Sequence, residues 1–374
     1  MAGIYIHIPF CKKACHYCNF HFSTARDKMP GMVEAIRKEA ALNRAYISGN
    51  IQTIYLGGGT PSLLSDEEIR TILDDLQGLF MVDTDVEITL EANPDDISIE
   101  NLRSWKGAGI NRLSIGIQSF FEEDLQWMNR AHNAIQAMNA VKLALAQGFD
   151  NITIDLIYGT PALTDEKWNQ NIETALSLHV PHLSCYALTV EPKTALAKMI
   201  ATHQSADVDA DKQARHFSIL TERLSAAGFE HYEISNFALP GFRSRHNSSY
   251  WQGKPYLGLG PSAHSFNGKS RQWNIANNSL YVTAIEKGEV PFEEELLTDT
   301  QRLNEYIMTS LRTIEGVSLS KIAIDFGELK ALSIAGAAQK HIDLGHLKKE
   351  NDVLQLTAEG KFLADGIAAD LFVD

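Results

Sequence analysis

The sequence predicts an α/β fold: an open, partial (β/α)6 barrel followed by a C-terminal, mostly helical, winged-helix-like domain. Three observations predict it. Short β-rich runs alternate with helical patterns through the first two thirds of the chain, which argues parallel strands with crossover helices. The units number about six, too few for the closed eight-stranded barrel. The alternation then gives way to a Gly-, Pro- and aromatic-rich stretch, and helical periodicity returns near Thr298. A doubly wound sheet satisfies the same alternation and stays open at this point.

The strands are read at Ile4–Ile8, Thr53–Leu56, Val86–Leu90, Arg112–Ile117, Asn151–Ile157 and His182–Leu188. Between them, helical periodicity spans Gly31–Ala45, Asp66–Leu79, Ser98–Lys106, Asn133–Gln147 and Asp165–Leu178. A further helix, Asp209–Ala227, follows the last strand. Ser65 followed by Glu68 makes a capping box ahead of one helix, and Gly148 stands where a glycine ends another. The stretch from Phe229 to Trp273 reads as a long structured loop region, because a linker would not carry so many aromatics. The tail closes with a short strand and an apolar-periodic helix. These readings divide the chain into a barrel over 1–230, a connecting region over 231–295 and a helical domain over 296–374.

Composition narrows the function classes. Of 374 residues, 44% are apolar and 21% charged, so the chain has a normal globular balance and can build a large core. Lys and Arg total 33 against 47 Asp and Glu, a net charge of −14. That balance argues against broad binding to nucleic acid or to an anionic membrane surface. The N-terminus has no basic leader, and no run of about 18 apolar residues occurs. A soluble, cytoplasmic protein is expected, with peripheral membrane contact left open.

Four cysteines are present, and three of them, Cys11, Cys15 and Cys18, crowd into CKKACHYC. Thiols this close in a leaderless chain read as metal ligands rather than disulfides. Three thiolates can hold three irons of a 4Fe-4S cube and leave the fourth iron open to a chelate. A zinc site completed by His16 or His21 is the plainer alternative. Cys185, in the apolar run LSCYAL, reads as a buried core thiol.

The C-x3-C-x2-C spacing, with an aromatic before the last Cys, resembles the radical S-adenosylmethionine (SAM) superfamily. The resemblance implies that SAM chelates the open iron and is cleaved by an electron from the cluster. Further segments narrow it: YIHIPFC, YLGGGTPS, RLSIGIQSF, NITIDLIYGTP, SNFA and RHNSSYW…YLGLGPSAHS. Together these resemble the oxygen-independent coproporphyrinogen III oxidase family over nearly the whole chain. That family contains true oxidases and HemW-type heme chaperones. Three features favour the chaperone group. Phe20 stands where the oxidases carry a further Cys, Cys11 lies almost at the start of the chain, and the HNxxYW motif is intact at His246–Trp251.

By this resemblance Tyr5, Gly58, Gly59, Thr60, Glu91, Gln118, Arg130 and Asp155 are implicated in SAM binding. Several also have a direct reading. Glu91, Gln118 and Asp155 lie near the C-terminal ends of strands, where parallel βα folds place their sites. Glycines after the second strand let backbone approach a ligand. Arg130 is a candidate partner for a carboxylate or a plain helix-end charge. In HNxxYW, His246 supplies an imidazole, and Tyr250 and Trp251 supply flat faces suited to a porphyrin, with Asn247 beside them. His264 is a second candidate ligand. For both histidines a hydrogen-bonded structural role is the plainer alternative. The leading expectation is a heme-binding radical SAM protein that carries heme to target proteins. The alternative is a genuine oxidase that decarboxylates propionates. A homodimer is compatible with either.

Overall fold

The computed structural model of the protein describes residues 2–373. Six strands run in parallel: β1 (Ala2–Ile8), β2 (Ile51–Gly58), β3 (Val82–Ala92), β4 (Arg112–Gln118), β5 (Ile152–Tyr158) and β6 (His182–Ala187). They pair in chain order, each with the next. A doubly wound sheet reverses its order at a switch point. This sheet does not, so the partial barrel is the observed architecture.

Between the strands lie α1 (Met29–Leu42), α2 (Asp66–Leu79), α3 (Ile99–Gly107), α4 (Glu122–Trp127), α5 (Ala134–Ala146) and α6 (Asp165–Ser177). Local chemistry sets their ends. The Ser65 hydroxyl accepts from the Glu68 N–H, and Glu68 accepts from the Ser65 N–H at 2.8 Å, which closes the capping box of α2. Asn133 and Gln136 do the same for α5. Gly148, at φ +78°, ends α5 in the left-handed conformation that glycine adopts freely.

Side-chain alternation separates two environments. Ile4, Ile6, Ile54, Leu56, Ile88, Leu90, Leu113, Ile115, Ile152, Ile154 and Leu183 are buried toward the helices. The opposite parity is polar. Register sets Tyr5 beside Tyr55, Glu91 beside Ser114, Ser114 beside Thr153, Thr153 beside His182, and Asp155 beside Ser184. The interior of this barrel is therefore polar and only partly filled, unlike the apolar layers of a closed eight-stranded barrel.

Past β6 come α7 (Ala195–Ala201), α8 (Ala210–Ala226), β7 (Glu230–Glu233), β8 (Asn236–Ala238), α9 (Arg245–Trp251), β9 (Tyr256–Leu259), β10 (His264–Phe266), β11 (Ser270–Asn274), α10 (Asn278–Glu286) and β12 (Phe292–Leu296). The expected loop region is thus largely built into the sheet, which has the order β12-β11-β10-β9-β1-β2-β3-β4-β5-β6-β8-β7. Gly258 explains the tight packing of β9 against the turn into β10. A Cβ there would lie 2.0 Å from the His264 carbonyl oxygen.

The last part follows the order α11 (Asp299–Leu311), β13 (Val317–Ser318), α12 (Leu319–Phe326), α13 (Glu328–Asp343), β14 (Leu347–Glu350), β15 (Val353–Leu356) and α14 (Ala364–Asp370). The sheet order β13-β15-β14 gives it winged-helix connectivity. It has its own core, with Leu303, Ile307, Ile322, Ile334 and Leu354 at its centre. It docks on the barrel through Arg271–Glu305 at 2.8 Å, Arg243–Glu315 at 2.7 Å and Arg312 over the Trp251 ring. No helix among the described residues is long and apolar enough to cross a membrane.

Candidate functional site

The three clustered thiols lie in the loop that leaves β1. Several contacts pin this loop. The Cys11 N–H donates to the Ser23 carbonyl at 3.0 Å, and Lys12 pairs with Asp95 at 2.6 Å and with Asp96. Asn129 donates to the Ala14 carbonyl at 2.8 Å, and the His16 Nδ1 bonds the Trp127 carbonyl at 2.7 Å. The loop is therefore fastened to the segments after β3 and α4, over the C-terminal ends of the strands.

Cys11, Cys15 and Cys18 line one wall of a cleft of ≈ 400 Å³. Gly58, Gly59, Thr60, Glu91, Gln118, Arg130 and Asp155 line the rest. Seven of the eight residues implicated in SAM binding thus meet the thiols in one place. Tyr5 is the exception. It faces the barrel interior below, stacked 6.1 Å from Tyr55, with its hydroxyl 3.1 Å from the His7 Nδ1.

Each wall has a physical cause. A Cβ on Gly59 would lie 2.6 Å from the carbonyl oxygens of Ile8 and Phe10, and one on Gly58 would lie 2.5 Å from the His7 ring. Only glycine keeps this turn close to the cysteine loop. Gln118 holds φ +69°, a strained conformation at the end of β4 that lines the cleft. Burial raises the Glu91 carboxyl to about 7, although it accepts from the Tyr55 hydroxyl at 2.8 Å and the Gly58 N–H at 3.1 Å. Burial likewise lifts Asp155 to about 6. Arg130 is not a solvated helix-end charge. It is half-buried and donates to the Gly116 carbonyl at 2.7 Å, Asn93 at 2.8 Å and the Cys15 Sγ at 3.3 Å.

These residues fit a 4Fe-4S cluster better than one zinc ion. Among the described residues no three His, Cys, Asp or Glu donors converge on a single metal position. A cube asks each thiolate for a different iron, so its three thiols need not converge. His16 and His21 are both engaged, the latter with Asn278 at 2.6 Å. The three thiols share one wall, and burial raises the Cys11 thiol to about 11; a bound iron would favour its thiolate. Cys185 is buried in β6, away from this wall.

The HNxxYW residues divide between two places. His246 is 3% exposed, inside the barrel. Its Nδ1 bonds the Thr53 hydroxyl and its Nε2 the Tyr250 hydroxyl, both at 2.8 Å, and its ring stacks 5.0 Å from Tyr55. With both nitrogens hydrogen-bonded, His246 fits the structural role that the sequence left open beside the ligand reading. Asn247 also lines the interior. Tyr250 lines both the interior and a second, larger cleft, and Trp251 and His264 line the latter.

Sequence reasoning missed Tyr55, Arg112, His182 and Ser184, which line the interior with Asp155. The signal was available. Polar residues recur at every second position in IYIHI, TIYLG, RLSIG, TIDLI and HLSCY.

An open barrel with three thiols over a polar mouth defines a class, the radical SAM proteins. Two family models match the chain: the radical SAM superfamily over residues 5–175 and the HemN C-terminal domain over residues 297–363. A heme chaperone HemW of Mycobacterium tuberculosis is 34% identical over 99% of this chain and 94% of its own. One from Bacillus subtilis is 32% identical over 98% of both chains. One from Escherichia coli is 37% identical over 70% of this chain and 69% of its own. The solved coproporphyrinogen III oxidase HemN of Escherichia coli superposes with a TM-score of 0.86 at 22% identity, covering 100% of this chain and 90% of its own. That likeness shows the fold. The chain belongs to the HemW family of radical SAM proteins, whose family cofactors are a 4Fe-4S cluster and SAM.

Proposed function

We propose that the protein is a heme chaperone that works in the cytoplasm and hands heme to target proteins. Cys11, Cys15 and Cys18 hold the cluster. Gly58, Gly59 and Thr60 present backbone to SAM, and Glu91, Gln118 and Asp155 offer polar groups to its ribose, adenine and amino acid portions. Cluster and SAM together supply one-electron chemistry when bound. The chain's own contribution is to fix the thiol loop, to set a guanidinium against Cys15 and to keep the mouth polar.

One observation carries the carrier reading. The cluster cleft and the larger aromatic cleft have only Asn19 and Phe20 in common, and the polar barrel interior lies between them, sharing Tyr5 and Tyr250 with the one and Glu91 and Asp155 with the other. A cargo in the second cleft lies beside the radical site rather than under it. The names of the full-length relatives support the same reading. The test is an anaerobic hemin titration of cluster-loaded protein, followed by mixing with a heme-free acceptor. One heme per chain and its passage to the acceptor are expected. No stoichiometric binding overturns the reading.

A further inference from the structure

The larger cleft measures ≈ 680 Å³ and lies between the β1–β9–β10–β11 side of the sheet and helices α11 and α12. Its size suits a porphyrin, and its walls are aromatic. Tyr250 and Tyr256 cross at 4.5 Å, Phe266 lies 6.4 Å from Tyr256, and Trp251, Tyr306 and Phe326 complete the lining. The buried Trp251 indole N–H there has no partner among the described residues.

Charge is also distinctive. In a chain of net charge −14, three cations line this cleft against two anions. Glu305 pairs with Arg271 at 2.8 Å, and Asp325 with Lys321 at 2.5 Å. Arg302 has its acid partner in Asp299, outside the lining. The lining as a whole thus carries one cation more than its own carboxylates, and its α11–α12 side offers Arg302 and Lys321.

One imidazole on this cleft is unengaged. His7 bonds the Tyr5 hydroxyl at 3.1 Å and the His21 carbonyl at 2.8 Å, and His21 bonds Asn278. Among the described residues His264 has no side-chain hydrogen-bond partner at either ring nitrogen, and it is exposed to the cavity. Its place is set firmly: β10 pairs it with Trp273, whose ring stacks on it at 6.1 Å, and Gly258 gives room for its carbonyl. Partial desolvation and the nearby Arg271 disfavour the charged form of the ring.

The geometry points to a heme site in this cleft, with the iron on the His264 imidazole and the propionates toward Arg302 and Lys321. This rests on the carrier reading above and deepens it. His246 then acts as a positioning residue. It bonds the Tyr250 hydroxyl from inside the barrel and thereby holds one wall of the cleft.

The test is an anaerobic hemin titration of cluster-reconstituted, full-length protein, read by resonance Raman with Soret excitation. Wild-type protein is expected to give an imidazole-ligated heme. His264→Ala is expected to lose that signature, to weaken hemin binding at least tenfold, and to regain the spectrum on addition of free imidazole. His264→Tyr keeps a ligand atom in place and is expected to give a phenolate-type spectrum. His246→Ala is expected to retain the imidazole signature. An unchanged spectrum and affinity in His264→Ala, or an imidazole spectrum in His264→Tyr, overturns the site while the carrier reading stands. Wild-type protein that takes up no hemin overturns the carrier reading itself. Arg302→Glu with Lys321→Glu is expected to weaken hemin at least fivefold and to spare its dimethyl ester. Equal loss for both overturns the propionate assignment.

Discussion

Single residues carry two kinds of electrostatic consequence. Arg130 is half-buried and donates to the Cys15 sulfur at 3.3 Å. A cation there favours the more negative, reduced cluster. Removing it in Arg130→Met should make the cluster harder to reduce, by about 60 mV or more if the lost interaction is worth about 1.4 kcal/mol. Redox titration by EPR checks this, and an unchanged potential contradicts the assignment. Glu39 lies far from the site, yet burial raises it to about 7 against the donors Tyr281, Gly260 and Asn274. Its folded value lies above its unfolded one, so its contribution to stability is full at low pH and is lost as pH rises through about 7. Glu91 and Asp155 act in the same direction. Denaturant midpoints should therefore fall between about pH 4.5 and 7.5. Glu39→Gln should flatten that slope by removing a contribution on the order of 3 kcal/mol, while costing about 1–3 kcal/mol through a donor facing Asn274. Parallel slopes in the two proteins contradict this.

At the scale of elements, the glycine turn after β2 joins the thiol loop to the sheet. Gly59→Ala would push backbone against the Ile8 and Phe10 carbonyls. A cost of about 1–3 kcal/mol is expected, together with loss of iron from the reconstituted protein, measured by denaturant unfolding and iron analysis. Wild-type iron content and stability would show that the turn tolerates a side chain. The same elements show what sequence can and cannot disclose. The strands β1–β6, the capping box at Ser65 and the helix-ending Gly148 are local signals, and they were legible; the second capping box, at Asn133, was not read. The pairing of β9 with β1 was not, because Tyr256–Leu259 meets a partner some 250 residues earlier and has no local signal beyond YLGL. The thiols stood out by their spacing and Glu91, Gln118 and Asp155 by their strand-end position, whereas the full set of cleft residues came from the family resemblance. The burial of His246 was not, because HNxxYW on a seven-residue helix does not disclose which side faces the barrel. Only the tertiary contact with Thr53 decides it.

At the scale of the molecule, two cavities meet across Asn19 and Phe20, one walled by thiols and carboxylates, the other by aromatics and cations. The C-terminal domain matters because its α11 and α12 form one side of the second cavity. The central claim is that this arrangement carries heme rather than converts a porphyrinogen. The direct measurement is anaerobic turnover of cluster-loaded protein with coproporphyrinogen III, SAM and a strong reductant, with products read by mass spectrometry. Protein with an intact cluster should yield no decarboxylated product. Repeated conversion of propionates to vinyl groups would contradict the account and make the chain an oxidase.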